Sequence, residues 1–118
     1  ELFTSHSRIP LEFSAFYREV LELLCQHTST ILLLEPFLFD EPAEYSVWHP
    51  YIEKESQIIR DLALSYSAHF IPTDSILRQA ARQEGIDAIT TDGIHLTPHG
   101  NTLLADLWHQ AFTALSPD

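Results

Sequence analysis

A carboxylate and a histidine lie three residues apart near the end of the chain, as Asp92 and His95. Imidazole is the one side chain whose ordinary pKa lies near neutral pH, so His95 can take a proton from a hydroxyl group and return it. An aspartate beside a histidine can hold the ring in one tautomer and stabilise the imidazolium ion. The spacing therefore predicts that His95 is a general base and that Asp92 orients it.

A helix is predicted to begin directly after this pair. Thr97 is a favourable N-cap residue, and Pro98 is favourable as the first helical residue. Gly100 then lies in the first turn, where glycine lowers helix stability, so we expect another part of the backbone to approach it closely. The start of this helix sets the direction of the loop that carries Asp92 and His95.

Three further helices are predicted from the spacing of apolar side chains. They cover about residues 11–27, residues 52–66 and a segment that ends at Glu84. Asp74 or Ser75 is the expected N-cap of the last of these helices. Each helix presents one apolar stripe and therefore needs a partner surface to cover it.

A continuous apolar run at residues 31–34 predicts a strand that is covered on both faces. Residues 68–71, which end at Pro72, are predicted to form a second short strand. Residues 36–50 hold three prolines and are predicted to form a long loop. The alternation of helices and strands predicts an α/β fold with a parallel sheet. Two such strands leave an unpaired edge, so we expect them to pair with strands of a longer parent, a second chain or a swapped partner.

The stretch 92–98, which reads D-G-I-H-L-T-P, resembles the last conserved block of the SGNH or GDSL family of serine esterases and lipases. In that family the block supplies the catalytic Asp and His. Residues 31–37 resemble the family's fourth strand and the loop after it, and residues 61–74 resemble its next helix and fifth strand. The similarity extends from about Phe16 to Phe112. It implies the C-terminal part of a flavodoxin-like, three-layer α/β/α fold with a parallel sheet.

The half of that family that carries the nucleophile has no counterpart here. The family's serine lies in a Gly-Asp-Ser motif, and its oxyanion donors include a second glycine and the Asn of a Gly-x-Asn-Asp block. No glycine of this chain adjoins a serine, and the only asparagine, Asn101, follows His95. A G-x-S-x-G elbow is also lacking. The resemblance therefore implies that residues 1–118 form a single partial domain, with the N-terminal half supplied in cis, by a second chain or within a homo-oligomer.

The resemblance implies hydrolysis of a small carboxylic ester, such as an acetylated sugar or a short-chain acyl ester, with no metal or organic cofactor. Ligands of α/β proteins bind beyond the carboxyl ends of the strands. Phe37 and Trp48 follow the first predicted strand and are the expected substrate-binding residues. The alternative for both aromatic side chains is that they only cover the core.

Two other functions are open at this point. The chain could be a non-catalytic fragment or a binding and assembly module. It could also be a metal-dependent hydrolase that uses Asp92, His95 and His99, since histidines four residues apart can share a metal ion. The predicted helix start between the two histidines weighs against that third function, because their rings need not share a face.

Composition excludes some partners and says little about the compartment. The formal net charge is −11, from 17 acidic and 6 basic residues. So few positive groups argue against a nucleic acid as partner, because there is no basic patch to neutralise phosphates. The single cysteine, Cys25, allows no internal disulfide, and its place in an apolar helical pattern predicts a small core residue.

Overall fold

Two short parallel strands form the sheet, β1 (Leu32–Leu34) and β2 (His69–Ile71). Leu33 is opposite Phe70, and Leu34 is opposite Ile71. The computed structural model describes residues 9–115, and the helices in that part are α1 (Ile9–Cys25), α2 (His49–Ser65), α3 (Thr73–Glu84), α4 (Ile86–Ile89) and α5 (Pro98–Leu115), with a 3-10 helix at Ala43–Val47. The parallel pairing and the order of elements confirm the predicted α/β fold.

One face of the sheet packs against α1 and α2. The core on this face contains Leu33 of β1 and Ile31 just before it. One apolar stripe of each helix supplies the rest, which are Leu21 from α1 and Ile59, Leu62 and Ala63 from α2. The other face lies towards α5, which packs against β2. Alternate residues of a strand point to opposite faces, so the sheet lies between two layers of helices.

A second core lies beside the sheet, between α3, α4 and α5. It is built from Phe39, Leu77, Ala81 and Ile89, and it also contacts the partly buried Phe37, Leu96 and Leu103. Leu77 and Ile89 are completely buried. This core is important for the site, because it holds both ends of the loop that carries Asp92 and His95.

Two predictions about local structure were wrong, and one short helix was missed. Residues 36–50 are not a simple loop, because they contain the 3-10 helix and the first turn of α2. The four-residue helix α4 was not predicted. Neither Asp74 nor Ser75 caps α3, which begins at Thr73 after Pro72 and has no side-chain cap. The Asp74 carboxylate instead accepts a hydrogen bond from the N–H of Leu38, at 3.0 Å.

The outer edge of β1 has no partner strand among residues 9–115. The N–H of His69 donates to the carbonyl of Ile31, and the N–H of Glu35 donates to the carbonyl of Ile71. Backbone groups of alternate residues in β1 therefore face β2, and those of Leu32 and Leu34 face the open edge. Leu34 is 38% exposed although it lies in the sheet.

Apolar side chains are also exposed on the helices. Phe16 on α1 is 67% exposed, and Trp108 and Phe112 on α5 stack on each other at 5.2 Å and are nearly half exposed. Cys25, predicted to be a core residue, is exposed because it is the last residue of α1, beyond the packed part of that helix. Within the described part of the chain, no helix is long and apolar enough to cross a membrane.

Candidate active site

The loop between α4 and α5 is closed by its own backbone. Thr90 and Leu96 form an antiparallel bridge, and the N–H of Thr91 donates to the carbonyl of His95 at 3.0 Å. The buried hydroxyl of Thr90 donates to the same carbonyl at 2.5 Å and accepts the N–H of Gly93 at 2.9 Å. Thr90 thus crosses the loop and holds it closed, a role that its sequence position did not indicate.

Asp92 and His95 contact each other as their spacing predicts. Asp92 Oδ2 lies 2.7 Å from His95 Nδ1. The other carboxylate oxygen, Oδ1, accepts the backbone N–H groups of Ile94 at 2.9 Å and of His95 at 2.7 Å. These hydrogen bonds, first those from the backbone and side chain of His95 and then that of Ile94, lower the pKa of Asp92 from 3.8 to about 2.

This arrangement determines which imidazole nitrogen can accept a proton. A neutral ring that donates its Nδ1 hydrogen to a carboxylate carries its free lone pair on Nε2. The side chain of His95 is 77% exposed, and among residues 9–115 its Nε2 has no hydrogen-bond partner. The pair is therefore arranged to take up a proton from a group that approaches from solvent.

The start of α5 is built as the sequence predicts. The Thr97 hydroxyl accepts the N–H of Gly100 at 3.0 Å and donates to the carbonyl of Ala88 at 2.6 Å. Gly100 is buried, and a Cβ atom there would lie 2.3 Å from the carbonyl oxygen of Ile89. The expected close backbone approach is thus confirmed, and it holds the start of α5 against the end of α4.

A second segment holds the loop from outside. The hydroxyl of Tyr45, in the 3-10 helix, donates to the carbonyl of Asp92 at 3.2 Å. Gly93 has a φ of +91°, and a Cβ atom there would lie 2.1 Å from the carbonyl oxygen of Glu41 and 2.8 Å from the Tyr45 ring. Glycine is therefore required at position 93 for both its backbone angle and its contacts.

Phe37 and Trp48 line one apolar pocket beside the loop. The pocket has a volume of about 370 Å³, and its lining residues are Phe37, Leu38, Trp48, Tyr51, Ile52 and Ile94. Ile94 directly precedes His95. Both predicted substrate-binding residues thus lie in one pocket beside the candidate site.

A buried polar cluster at the end of β1 was not predicted. The Glu35 side chain is only 9% exposed, and its carboxylate accepts the buried Ser56 hydroxyl and the N–H of Asp74. The Glu35 carbonyl accepts the Thr73 hydroxyl. Asp74 in turn holds Leu38, so the cluster positions the segment that supplies two residues of the apolar pocket. Glu35 directly after an apolar strand was the only sequence signal for it.

His99 is directed away from the Asp92–His95 pair. Its Nε2 lies 2.8 Å from Oε1 of Glu84 at the end of α3. Within residues 9–115, no group of three or more histidine, cysteine or acidic side chains is arranged to hold a metal ion. The described residues therefore do not form the Asp92, His95 and His99 ligand set of the metal-dependent alternative.

Comparison with known proteins places the fold. No protein-family model and no curated protein sequence matches the chain. A solved structure from Parabacteroides merdae ATCC 43184, described as a GDSL-like lipase, matches with 25% identity and a TM-score of 0.75, over 83% of this chain and 47% of that chain. LAE5, an α/β hydrolase enzyme from the metagenome of Lake Arreo, Spain, matches with 16% identity and a TM-score of 0.77, over 91% of this chain and 49% of that one.

The chain therefore has a lipase- or esterase-like hydrolase fold of the α/β class. It spans about half the length of each of these two proteins.

Proposed function

We propose that this chain supplies the Asp and His of a Ser-His-Asp esterase whose serine lies outside the chain. The observation that carries the proposal is the 2.7 Å contact between Asp92 and His95, in which Asp92 is also held by two backbone N–H groups and the far side of the ring is exposed. The similarity to a protein described as a GDSL-like lipase supports the same reaction class.

In the proposed reaction, the serine oxygen attacks the ester carbonyl while His95 Nε2 takes the serine proton. His95 then gives that proton to the leaving alcohol. A water molecule attacks the acyl-serine with His95 again as the base, and the proton returns to the serine when the carboxylic acid departs. Throughout, Asp92 stays ionised and stabilises the imidazolium ion. The low pKa of Asp92 keeps its carboxylate ionised at neutral pH.

Several features support a nucleophile from outside the chain. Among residues 9–115, no serine hydroxyl is hydrogen-bonded to His95, and the hydroxyl of Ser56 is buried against Glu35. The open edge of β1 presents the backbone groups of Leu32 and Leu34, to which a further parallel strand could pair. The proposed partner is therefore the nucleophile-bearing half, in cis, as a second chain or within a homo-oligomer, which adds at least one strand at this edge.

Replacement of His95 tests the proposal. In the assembly of this chain with its nucleophile-bearing half, His95→Ala should lower the turnover of p-nitrophenyl acetate by about 10⁴-fold or more, because the serine loses its base. The matched control is His99→Ala, which removes an exposed histidine that contacts Glu84. That variant should retain turnover within about threefold, and near-normal turnover by His95→Ala would refute the proposed role.

The alternative of a non-catalytic module gives a different result in the same preparation. Intact mass spectrometry of the undissociated sample would identify a second polypeptide, and a fluorophosphonate probe would label its serine. If the 118-residue chain is found alone, unlabelled and without turnover above buffer, then it binds or assembles but does not hydrolyse.

A further inference from the structure

We propose that the apolar pocket beside the Asp92–His95 loop binds the apolar group of a neutral ester, a group several carbons long rather than a single methyl. The pocket is the one lined by Phe37, Leu38, Trp48, Tyr51, Ile52 and Ile94. This inference rests on the proposed esterase function and selects the short-chain acyl ester over the acetylated sugar as the substrate class.

The pocket is joined to the candidate catalytic pair by covalent and packing contacts. Ile94 lines the pocket and is bonded to His95. Trp48, which also lines the pocket, stacks on Tyr45 with 5.1 Å between ring centroids, and the Tyr45 hydroxyl donates to the carbonyl of Asp92. A group seated in the pocket would thus lie against the loop whose histidine faces the reacting ester.

The walls of the pocket are held in place before any ligand binds. Leu38 is 5% exposed, and its N–H is bound by the carboxylate of Asp74. Trp48 directly precedes α2, and its N–H donates to the carbonyl of Tyr45 at 2.8 Å. Such a preformed pocket binds without a large ordering cost.

The chemistry of the lining indicates a neutral apolar ligand. None of the six lining residues carries a charge at neutral pH, and their only polar side-chain groups are the Tyr51 hydroxyl and the Trp48 indole N–H. A second cleft at the loop, of about 440 Å³, has three acidic residues among those that line it, Glu41, Asp87 and Asp92. Hydroxyl groups of a sugar would find few hydrogen-bond partners in the apolar pocket. An acyl or alkyl group would bury its apolar surface there, away from water.

The volume indicates the size of the group. At about 370 Å³ the pocket lies near the lower end of the range for small-molecule sites, which runs from about 300 to 1,000 Å³. A single methyl group would leave most of that space filled with water. A linear group of several carbons would fill more of it, and each added methylene should tighten binding by about three- to fourfold.

Binding can be measured without catalysis. The chain contains two tryptophans, Trp48 and Trp108, so their indole N–H signals in ¹⁵N-labelled chain report on the pocket and on a distant surface. Straight-chain methyl ketones from propanone to octan-2-one should shift the Trp48 signal with affinities that rise about three- to fourfold per methylene, while 6-O-acetylglucose should not. Equal shifts at both tryptophans, or no dependence on length, would overturn the proposal.

Variants separate this inference from the proposed function. Trp48→Ala, followed through the backbone N–H signal of Ile94 because the indole reporter is lost, should lower the affinity for octan-2-one by tenfold or more. Leu64→Ala, on an exposed part of α2, should retain it within about twofold. His95→Ala should also retain ketone binding, since it removes the base and not the pocket. Ketone binding with no esterase activity in any preparation would refute the proposed reaction and leave a binding pocket, whereas esterase activity with no preference for chain length would refute the pocket alone.

Kinetics of two other lining residues test the pocket where Trp48→Ala does not fold well enough for titration. In the assembled enzyme, the ratio of kcat/KM for p-nitrophenyl hexanoate to that for the acetate should fall by tenfold or more in Ile94→Ala or Phe37→Ala. A structural defect would lower both rates together and leave the ratio unchanged. An unchanged ratio in both variants would contradict the assignment.

Discussion

Gly93→Ala perturbs the packing that holds the Asp92–His95 loop. An alanine at a positive φ, here +91°, costs about 1–2 kcal/mol of folding free energy, because its Cβ crowds the following carbonyl. The new methyl group would also lie 2.1 Å from the carbonyl oxygen of Glu41 and 2.8 Å from the ring of Tyr45. Overpacking of this kind typically costs a further 1–3 kcal/mol, roughly. The expected loss of unfolding free energy is therefore about 2–5 kcal/mol.

Gly85→Ala is the matched control for this substitution. Gly85 has a φ of +96°, nearly the same backbone angle, but no heavy atom lies within 4 Å of the position that a Cβ would take. This variant should lose only the backbone contribution of about 1–2 kcal/mol. The difference between the two variants, about 1–3 kcal/mol, isolates the contact between the 3-10 helix segment and the loop.

Urea unfolding of both variants, followed by circular dichroism, measures the two losses, and the chemical shifts of the His95 ring report on the loop. Gly93→Ala should change the ring shifts, because the loop or the Glu41–Tyr45 segment must move, and Gly85→Ala should not. Equal losses of stability with unchanged His95 shifts in both variants would refute the packing of the segment on Gly93.

Two further predictions concern the same loop. The Asp92 carboxyl should titrate in ¹³C NMR with a midpoint at about pH 2, so the stability that it contributes is complete above pH 3.8 and is lost as the pH falls towards 2. In His95→Ala the midpoint should rise but stay below 3.8, because backbone N–H groups still bind the carboxylate. A wild-type midpoint near 3.8 would contradict the geometry. Thr97→Ala should lower the unfolding free energy by about 1–2 kcal/mol, because the N–H of Gly100 and the carbonyl of Ala88 lose a partner. Thr97→Ser keeps the hydroxyl, so a loss as large as that of alanine in urea unfolding would show that the cap is not the cause.

Local chemistry made part of the site predictable. Asp92 and His95 are three residues apart, and their contact is formed within one short loop. Thr97 caps α5 through the N–H of a residue three positions later, a pattern that depends only on adjacent backbone. Gly100 in a first helical turn indicated a close approach, and the carbonyl of Ile89 is the group that approaches it.

Predictions failed where a polar side chain had two possible partners. Asp74 could have capped α3, but its carboxylate binds the N–H of Leu38 and the guanidinium of Arg78. The competing partner is 36 residues away, so no local pattern could reveal it.

The prediction for Cys25 failed for a different reason. The helix was predicted correctly, but its last residue, Cys25, lies beyond the surface that α1 covers and is exposed.

The sequence by itself determined the two strands, the four longer helices and the Asp92–His95 pair, because apolar periodicity, capping and a three-residue spacing act over a few neighbouring residues. The tertiary structure decided which distant groups surround that pair. Tyr45 reaches the carbonyl of Asp92 across 47 positions, and Trp48 and Ile94 meet in one pocket. Such contacts depend on how the elements pack around the two cores, and packing depends on the shape of the whole set of side chains rather than on any one segment.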